Sequence, residues 1–535
     1  MKKFLILTVL MVASVACSLD ETFPGINQKN YYETQTQCRS AVNGVYIEAK
    51  SMMHSTLMIM YEGCTDLWHW SGTTVDGELQ ITPSKPEQGA DLWFRCYRGV
   101  DLCNEVIHCI DRSEHIADSL RNEMTAECRV MRAFYYYMLT NTFNGVPYYT
   151  AQVNTYAVQD SIRYLPRTDA NEIRRMLYDD LEYNAIPFFE KDKNLKVMAY
   201  KAPSKRSGYA FALMLQAKFA MWYQDWTAAL KPLQALEILY GEFNEKNFPL
   251  EQIMWRYDHV AESIFEIVHE YDLTGIQYYG SFAKVMMPGY NKDEDLFDGV
   301  KLTGYGNTLT GASAMKSNRN FANYKTKTSL YGEIPKDLTA IPTGEYNGKK
   351  VDRRIQYKLG LGNLETGKVF NMCNNNGYTY PGPQFWCPDI LNNYDSNNYR
   401  LFRYADAILM MAECWCMQND FDQALHYLNL VRARAGIENI TTVSGKEELM
   451  LEIRNERARE LAGELHRKFD LVRWGIWYEQ TLNNTDYNSE NYPSKATPLA
   501  SNIRPCHRYY PIPDTQCALS GYILDNPEYK ESGLN

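Results

Sequence analysis

"RYADAILMMAECWCMQNDFDQALHYLNLVRARAG" (residues 403–436) decides how this chain is read. Ile408, Met411, Ala412 and Trp415 recur at spacings of three and four, which places them on one face of a helix. The pattern breaks at the polar pair Asn419-Asp420 and resumes with Phe421, Ala424, Leu425, Leu428 and Val431. Asp420 can cap the second helix, because a carboxylate accepts from the unpartnered N–H groups of a first turn.

The same pattern occurs 195 residues earlier. "AKFAMWYQDWTAALKPL" (217–233) aligns without gaps on "AECWCMQNDFDQALHYL" (412–428). Asp225 matches Asp420, Trp226 matches Phe421, and Ala229, Leu230 and Leu233 match Ala424, Leu425 and Leu428. Small alanines let two such helices approach closely, which is the geometry of a tetratricopeptide pair. Pro232 falls inside the second helix of the first copy and predicts a kink there. Helical spacing also covers "NEMTAECRVMRAFYYYMLTNTF", "TDANEIRRMLYDDLEYNAI" and "GKEELMLEIRNERARELAGEL". Residues 62–92 and 242–400 are rich in Gly, Asn, Tyr and Pro without periodicity, so loops and a few short strands are expected. The expected fold is therefore mainly α. Tetratricopeptide-like helical pairs form an α-α superhelical scaffold, and irregular loops with a few short strands pack on it.

The amino terminus sets the compartment. Lys2 and Lys3 precede an apolar run from Phe4 to Val15, which fits a secretory leader and is too short to span a bilayer. Ser14-Val15-Ala16-Cys17 resembles a bacterial lipobox, which implies a lipid on Cys17. An ordinary secretory signal with an incidental cysteine is the alternative. Ser18, Leu19, Asp20 and Glu21 resemble the acidic tag that directs lipoproteins to the outer face in Bacteroidetes-type bacteria. The expected organisation is a leader over 1–16, a lipidated tether over 17–30 and one unit over 31–535. That unit divides into a helical part (31–241), an irregular region (242–400) and a second helical part (401–535).

The formal charge is −10, and −12 once Lys2 and Lys3 leave with the leader. An acidic balance of this size argues against a nucleic-acid partner. The chain carries 41 Tyr and 10 Trp, amphipathic residues suited to surface contacts such as carbohydrate. Cysteines after Cys17 show no CxxC spacing and the histidines no HExxH. Most cysteines are read as small buried apolar residues, with no metal and no cofactor expected.

In the last third the motifs acquire a family resemblance. "RYADAILMMAECWC" (403–416), "ALHYLNLVRARAG" (424–436), "RNERARELAGELHRKFDLVRWG" (454–475), "YYPIPDTQC" and "LDNPEY" resemble segments of the SusD/RagB family of outer-membrane nutrient-binding lipoproteins. "LWFRCYRGVDLCNEVI" (92–107) and "VDRRI" (351–355) fit upstream family segments. The resemblance implies a non-catalytic lipoprotein on the cell exterior. It would bind oligo- or polysaccharide and hand it to a TonB-dependent outer-membrane transporter. Trp93 fits the family's structural tryptophan and is expected in the core.

Sugar capture needs flat apolar rings beside hydrogen-bonding groups, so aromatics in loops are the candidates. "TDLWHWSG" (65–72) offers Trp68 and Trp70 with Asp66 beside them. "NNNGYTYPGPQFWCPD" (374–389) offers Tyr378, Tyr380 and Trp386, and "QYYGSF" (277–282) offers Tyr279. Glu456, Glu460, Arg467, Asp470 and Arg473 are read as a salt-bridge network locking two helices. Two other functions stay open, a peptide- or protein-binding tetratricopeptide lipoprotein and a glycoside hydrolase with a carboxylate pair.

Overall fold

A computed structural model of the protein describes residues 31–192, 206–269, 280–287, 314–387, 395–482 and 499–534. The leader, Cys17, the tether, Tyr278 and Tyr279 lie outside the described residues. The first half builds α1 (Gln35–Gly44), α2 (Ile47–Met52), α3 (Thr56–Tyr61), α4 (Gln88–Asp111), α5 (Asp118–Phe143), α6 (Tyr156–Arg163) and α7 (Ala170–Asn184). The repeat copies form α8 (Tyr209–Trp222) with α9 (Trp226–Tyr240) and α10 (Tyr404–Met417) with α11 (Phe421–Ala435). They are followed by α12 (Lys446–Leu461), α13 (Arg467–Arg473) and α14 (Asp514–Leu519). The helical scaffold expected from the periodicity is the one observed.

The two copies share their turn down to the backbone. Asp225 accepts from the Ala228 N–H at 2.9 Å and Asp420 from the Gln423 N–H at 3.1 Å. The residues just before them, Gln224 and Asn419, both take left-handed backbone, at φ 60° and 65°. Although far apart in sequence, the copies are neighbours in space, because α9 packs against α10. Helix follows helix in one stack, α4 on α5, α5 on α7, α7 on α8, and α10 on both α11 and α12.

One expectation needs correction. The stripe assigned to Ile408, Met411, Ala412 and Trp415 is too narrow: nearly every residue of α10 is buried, and so is nearly every residue of α8. Neighbours on several sides leave these helices no solvent face. Pro232 lies inside α9, which continues to Tyr240. Its missing N–H frees the Ala228 carbonyl, and the Tyr178 hydroxyl from α7 donates to that oxygen at 3.2 Å.

The irregular region opens and closes at one point. Strand β2 (Ser263–Ile267) pairs antiparallel with β6 (Tyr399–Arg403), bringing its two ends together. Between them lie β3 (Met315–Ser317), β4 (Leu359–Gly360), β5 (Tyr380–Pro381) and short hairpins, while β1 (Trp68–Trp70) comes from the first irregular segment.

A buried ion network ties this region to the helices. Arg403, at the end of β6, reaches Glu262 at 2.7 Å, Glu460 at 2.6 Å and Glu464 at 2.7 Å. Arg434 of α11 bonds Glu262 at 2.9 Å and also Glu460. From the irregular region Arg354 meets Glu456 at 2.6 Å and Glu460 at 3.0 Å, and Lys358 meets Glu464 at 2.7 Å. A second buried cluster lies beside it: Arg457 bridges Asp470 at 2.8 Å and Asp406 at 2.9 Å, Arg473 meets Asp470 at 2.9 Å, and Arg467 pairs with Asp66 at 2.6 Å. Salt bridges among the residues singled out from the sequence are present and buried: Glu456, fully buried, also meets Arg459 of the same helix at 2.7 Å.

Burial alone would push the Glu464 carboxyl up, but Arg403 and Lys358 outweigh it and hold it at about 2 against an ordinary 4.5. Glu460 is held low in the same way by Arg434, Arg403 and Arg354. A carboxylate whose folded pKa is depressed adds stability that is complete above pH about 4.5 and is lost as pH falls toward about 2. Glu464→Gln is therefore expected to cost about 3–5 kcal/mol in denaturant unfolding at pH 7, since Arg403 and Lys358 lose a buried counter-charge. The variant's deficit should shrink as the wild type is titrated through that acid window.

Candidate functional site

The segment 62–77 follows α3 and becomes a short ribbon rather than a loop. β1 pairs antiparallel with β3, setting Trp68 opposite Ser317, His69 opposite Lys316 and Trp70 opposite Met315. The ribbon continues to β5's approach, where the Ser317 N–H donates to the Thr379 carbonyl at 2.9 Å. Pairing of this kind gives each strand a packed face, and that decides the fate of the candidate rings.

Trp68 is fully buried and meets Phe321 edge-on at 5.1 Å. It is a core residue, not a platform. Tyr378 is buried too, with Arg319 over its ring at 4.8 Å and His69 edge-on at 5.0 Å. Tyr380 packs edge-on to Phe370, because β5 pairs with β4. Trp386 is buried, and its Nε1–H donates to the Pro381 carbonyl at 3.1 Å. Asp66 is committed elsewhere: Arg467 of α13 grips both its oxygens, at 2.8 and 2.6 Å, and Gln480 adds a bond at 3.3 Å. These placements correct the reading of Trp68, Tyr378, Tyr380, Trp386 and Asp66 as exposed contacts. Tyr279 is outside the described residues. Trp93 is in the core, as expected.

Trp70 alone among the placed candidate rings keeps solvent exposure. Two glycines hold its ring. A Cβ on Gly72 would sit 2.7 Å from the indole nitrogen, and one on Gly77 would sit 2.8 Å from Cδ1. Ser71 and Thr73 beside it are exposed, and the Ser71 N–H is fixed to the Ala314 carbonyl at 2.8 Å. Behind the ribbon, His69 is buried with Nδ1 2.8 Å from Asn318 Oδ1, and burial lowers it to about 4. It is uncharged at neutral pH. The outer end of β1 is thus a partly exposed indole beside exposed Ser71 and Thr73, suited to binding rather than proton transfer. Among the strongly exposed rings the sequence reading passed over are Phe94 and Tyr156. A signal existed for Phe94: adjacent helical residues point about 100° apart, so Trp93 facing inward turns its neighbour outward.

A family model described as the SusD family matches residues 312–529, and one described as "Starch-binding associating with outer membrane" matches residues 19–213. SusD-like protein P25 of Formosa agariphila is 26% identical over 535 residues, covering 94% of this chain and 93% of its own. A SusD homolog from Bacteroides thetaiotaomicron superposes with a TM-score of 0.72 at 18% identity, over 95% of this chain and 99% of that one. Surface glycan-binding protein A from Bacteroides uniformis gives a TM-score of 0.64 at 20% identity, over 92% and 99%. Matches of two SusD models, to residues 19–213 and 312–529, together with the helical stack and motif order described above, make the chain a member of the SusD/RagB family.

Proposed function

We propose that the protein is a surface lipoprotein that captures oligo- or polysaccharide at the outer end of β1. It passes the glycan to a TonB-dependent outer-membrane transporter and does no chemistry itself. The observation that carries this reading is the partly exposed Trp70 ring seated between Gly72 and Gly77. It lies in the segment matched by the model described as starch-binding, on a fold shared with a surface glycan-binding protein. The apolar C–H face of a pyranose stacks on such an indole, while Ser71 and Thr73 offer partners for hydroxyls. A stacked ring adds about 0.5–1.5 kcal/mol beyond area burial, which gives the reversible hold that delivery requires.

Absence of catalysis is supported by Asp66. Glycosidases use two carboxyls about 5–10 Å apart across an open cleft, whereas Asp66, just ahead of β1, has both its oxygens bound by Arg467. Anchoring rests on Cys17. Among the described residues no helix is long and apolar enough to cross a membrane, and acyl chains contribute about 0.8 kcal/mol per buried methylene.

Titration calorimetry against a panel of neutral hexasaccharides tests the capture site. Trp70→Ala should weaken the best glycan about threefold to tenfold and leave the thermal midpoint close to wild type. Trp68→Ala should instead cost about 3–5 kcal/mol of stability, as loss of a buried aromatic does. Unchanged affinity in Trp70→Ala would remove the platform, and shortened sugars released by the wild type would remove the non-catalytic reading. Metabolic labelling with a fatty acid should mark the wild type and not Cys17→Ala; label on both would place the lipid elsewhere.

A further inference from the structure

A second cleft, of about 920 Å³, opens between α4, α6 and α14, and none of Asp66, Trp68 or Trp70 lines it. Its floor is a fixed aromatic stack. Tyr97 and Tyr149 lie parallel, 4° apart with centroids at 6.0 Å, and Trp93 tilts onto Tyr97 at 4.9 Å. Both hydroxyls are spoken for: Tyr97 donates to the Pro147 carbonyl at 2.8 Å and Tyr149 to Asp101 at 2.7 Å. The floor therefore needs no ordering when a ligand arrives.

The rims are rings and polar ends held out to solvent. Phe94 of α4 is 57% exposed and Tyr156 of α6 is 90% exposed. No residue of α6 is buried, and its C-terminal end is tied to α14 by the Arg163 side chain, which donates to the Leu519 carbonyl. At its start Thr155 caps it, accepting from the Val158 N–H at 3.3 Å. A helix with no buried face depends on such a tie to stay in place. It is secured here beside a groove, which gives it the role of a wall.

The lining also tells which ligand fits. Its charged members are Arg98 and Arg163 against Asp101 and Asp160, so it carries no net charge to select a phosphate or an amine. Gln159 and Gln516 add amides that both donate and accept. Acyl chains would leave these groups unpaired, at a desolvation cost for each. Ring faces interleaved with neutral-on-balance donors and acceptors match a polyhydroxylated, uncharged chain, and the volume lies in the usual range for ligand clefts.

We infer that this cleft is a second saccharide-binding site, taking a neutral glycan segment between Phe94 and Tyr156 over the Tyr97–Tyr149 floor. The inference shares its ligand class with the proposed function and rests on that reading. A long polysaccharide that engages both sites gains avidity through effective concentration without any tighter single contact.

The test places 3,5-difluorotyrosine at Tyr156 in the mature protein and follows its fluorine resonance. Titrants are neutral hexasaccharides (malto-, laminari-, xylo- and manno-), a sulfated hexasaccharide and a peptide mixture. A neutral hexasaccharide should shift the signal saturably, equally in wild type and Trp70→Ala. Phe94→Ala should weaken that response about threefold to tenfold with an unchanged thermal midpoint. Trp70-dependent calorimetric binding with a silent Tyr156 overturns the second site and leaves the first reading standing. A shift with peptide or sulfated sugar alone also overturns it, and silence of both sites across the panel overturns both.

Discussion

Arg403 is the joint of the molecule. It ends the strand that returns from the irregular region and begins α10, and its guanidinium bonds carboxylates from three places, Glu262, Glu460 and Glu464. A buried guanidinium is tolerable only when its donors are matched by acceptors. That requirement holds the two ends of a long insertion against α11 and α12. Arg354 and Lys358 repeat the arrangement from inside the insertion. The helices alone would stack through their apolar faces. The ion network is what gives the irregular chain a single seat on that stack.

Rigidity at the joint carries through to β1. Asp66, just ahead of the strand, is clamped by Arg467, while Glu62 at the end of α3 accepts from the Leu465 N–H at 2.8 Å. Both partners lie in the segment that follows the network carboxylates. The first irregular segment is thus pinned to the same region as the second. The Trp70 ring between its glycines inherits a fixed position, so little ordering is required when a ligand stacks on it. The aromatic floor of the second cleft is fixed independently, by Tyr–carbonyl and Tyr–carboxylate bonds.

Local signals were legible in the sequence, and remote ones were not. The helical spacing and the Asp225 and Asp420 caps depend on residues within a few positions of each other, and the helices and caps are found where expected. The charge cluster from Glu456 to Arg473 was legible as a structural lock because its members share neighbouring helices. The ring assignments failed for a physical reason. Whether Trp68 faces solvent depends on Met315–Ser317, a strand hundreds of residues away, and on Phe321 beyond it. Asp66 resembled a sugar contact until Arg467, 401 positions on, was found to bind it. Tyr380 and Trp386 looked like loop aromatics because pairing of β5 with β4 leaves no periodic mark in two residues. Phe94 was within reach of helical geometry alone, since it follows an inward tryptophan.

The proposed seat of the glycan is the outer end of β1, on the Trp70 ring. Backbone hydrogen–deuterium exchange, with and without a saturating glycan, reads that seat at the residues concerned. Exchange across Trp70–Gly77 should slow in the complex, with the helices around Arg403 unchanged. A bound glycan that leaves Trp70–Gly77 exchanging as in the free protein would contradict that placement.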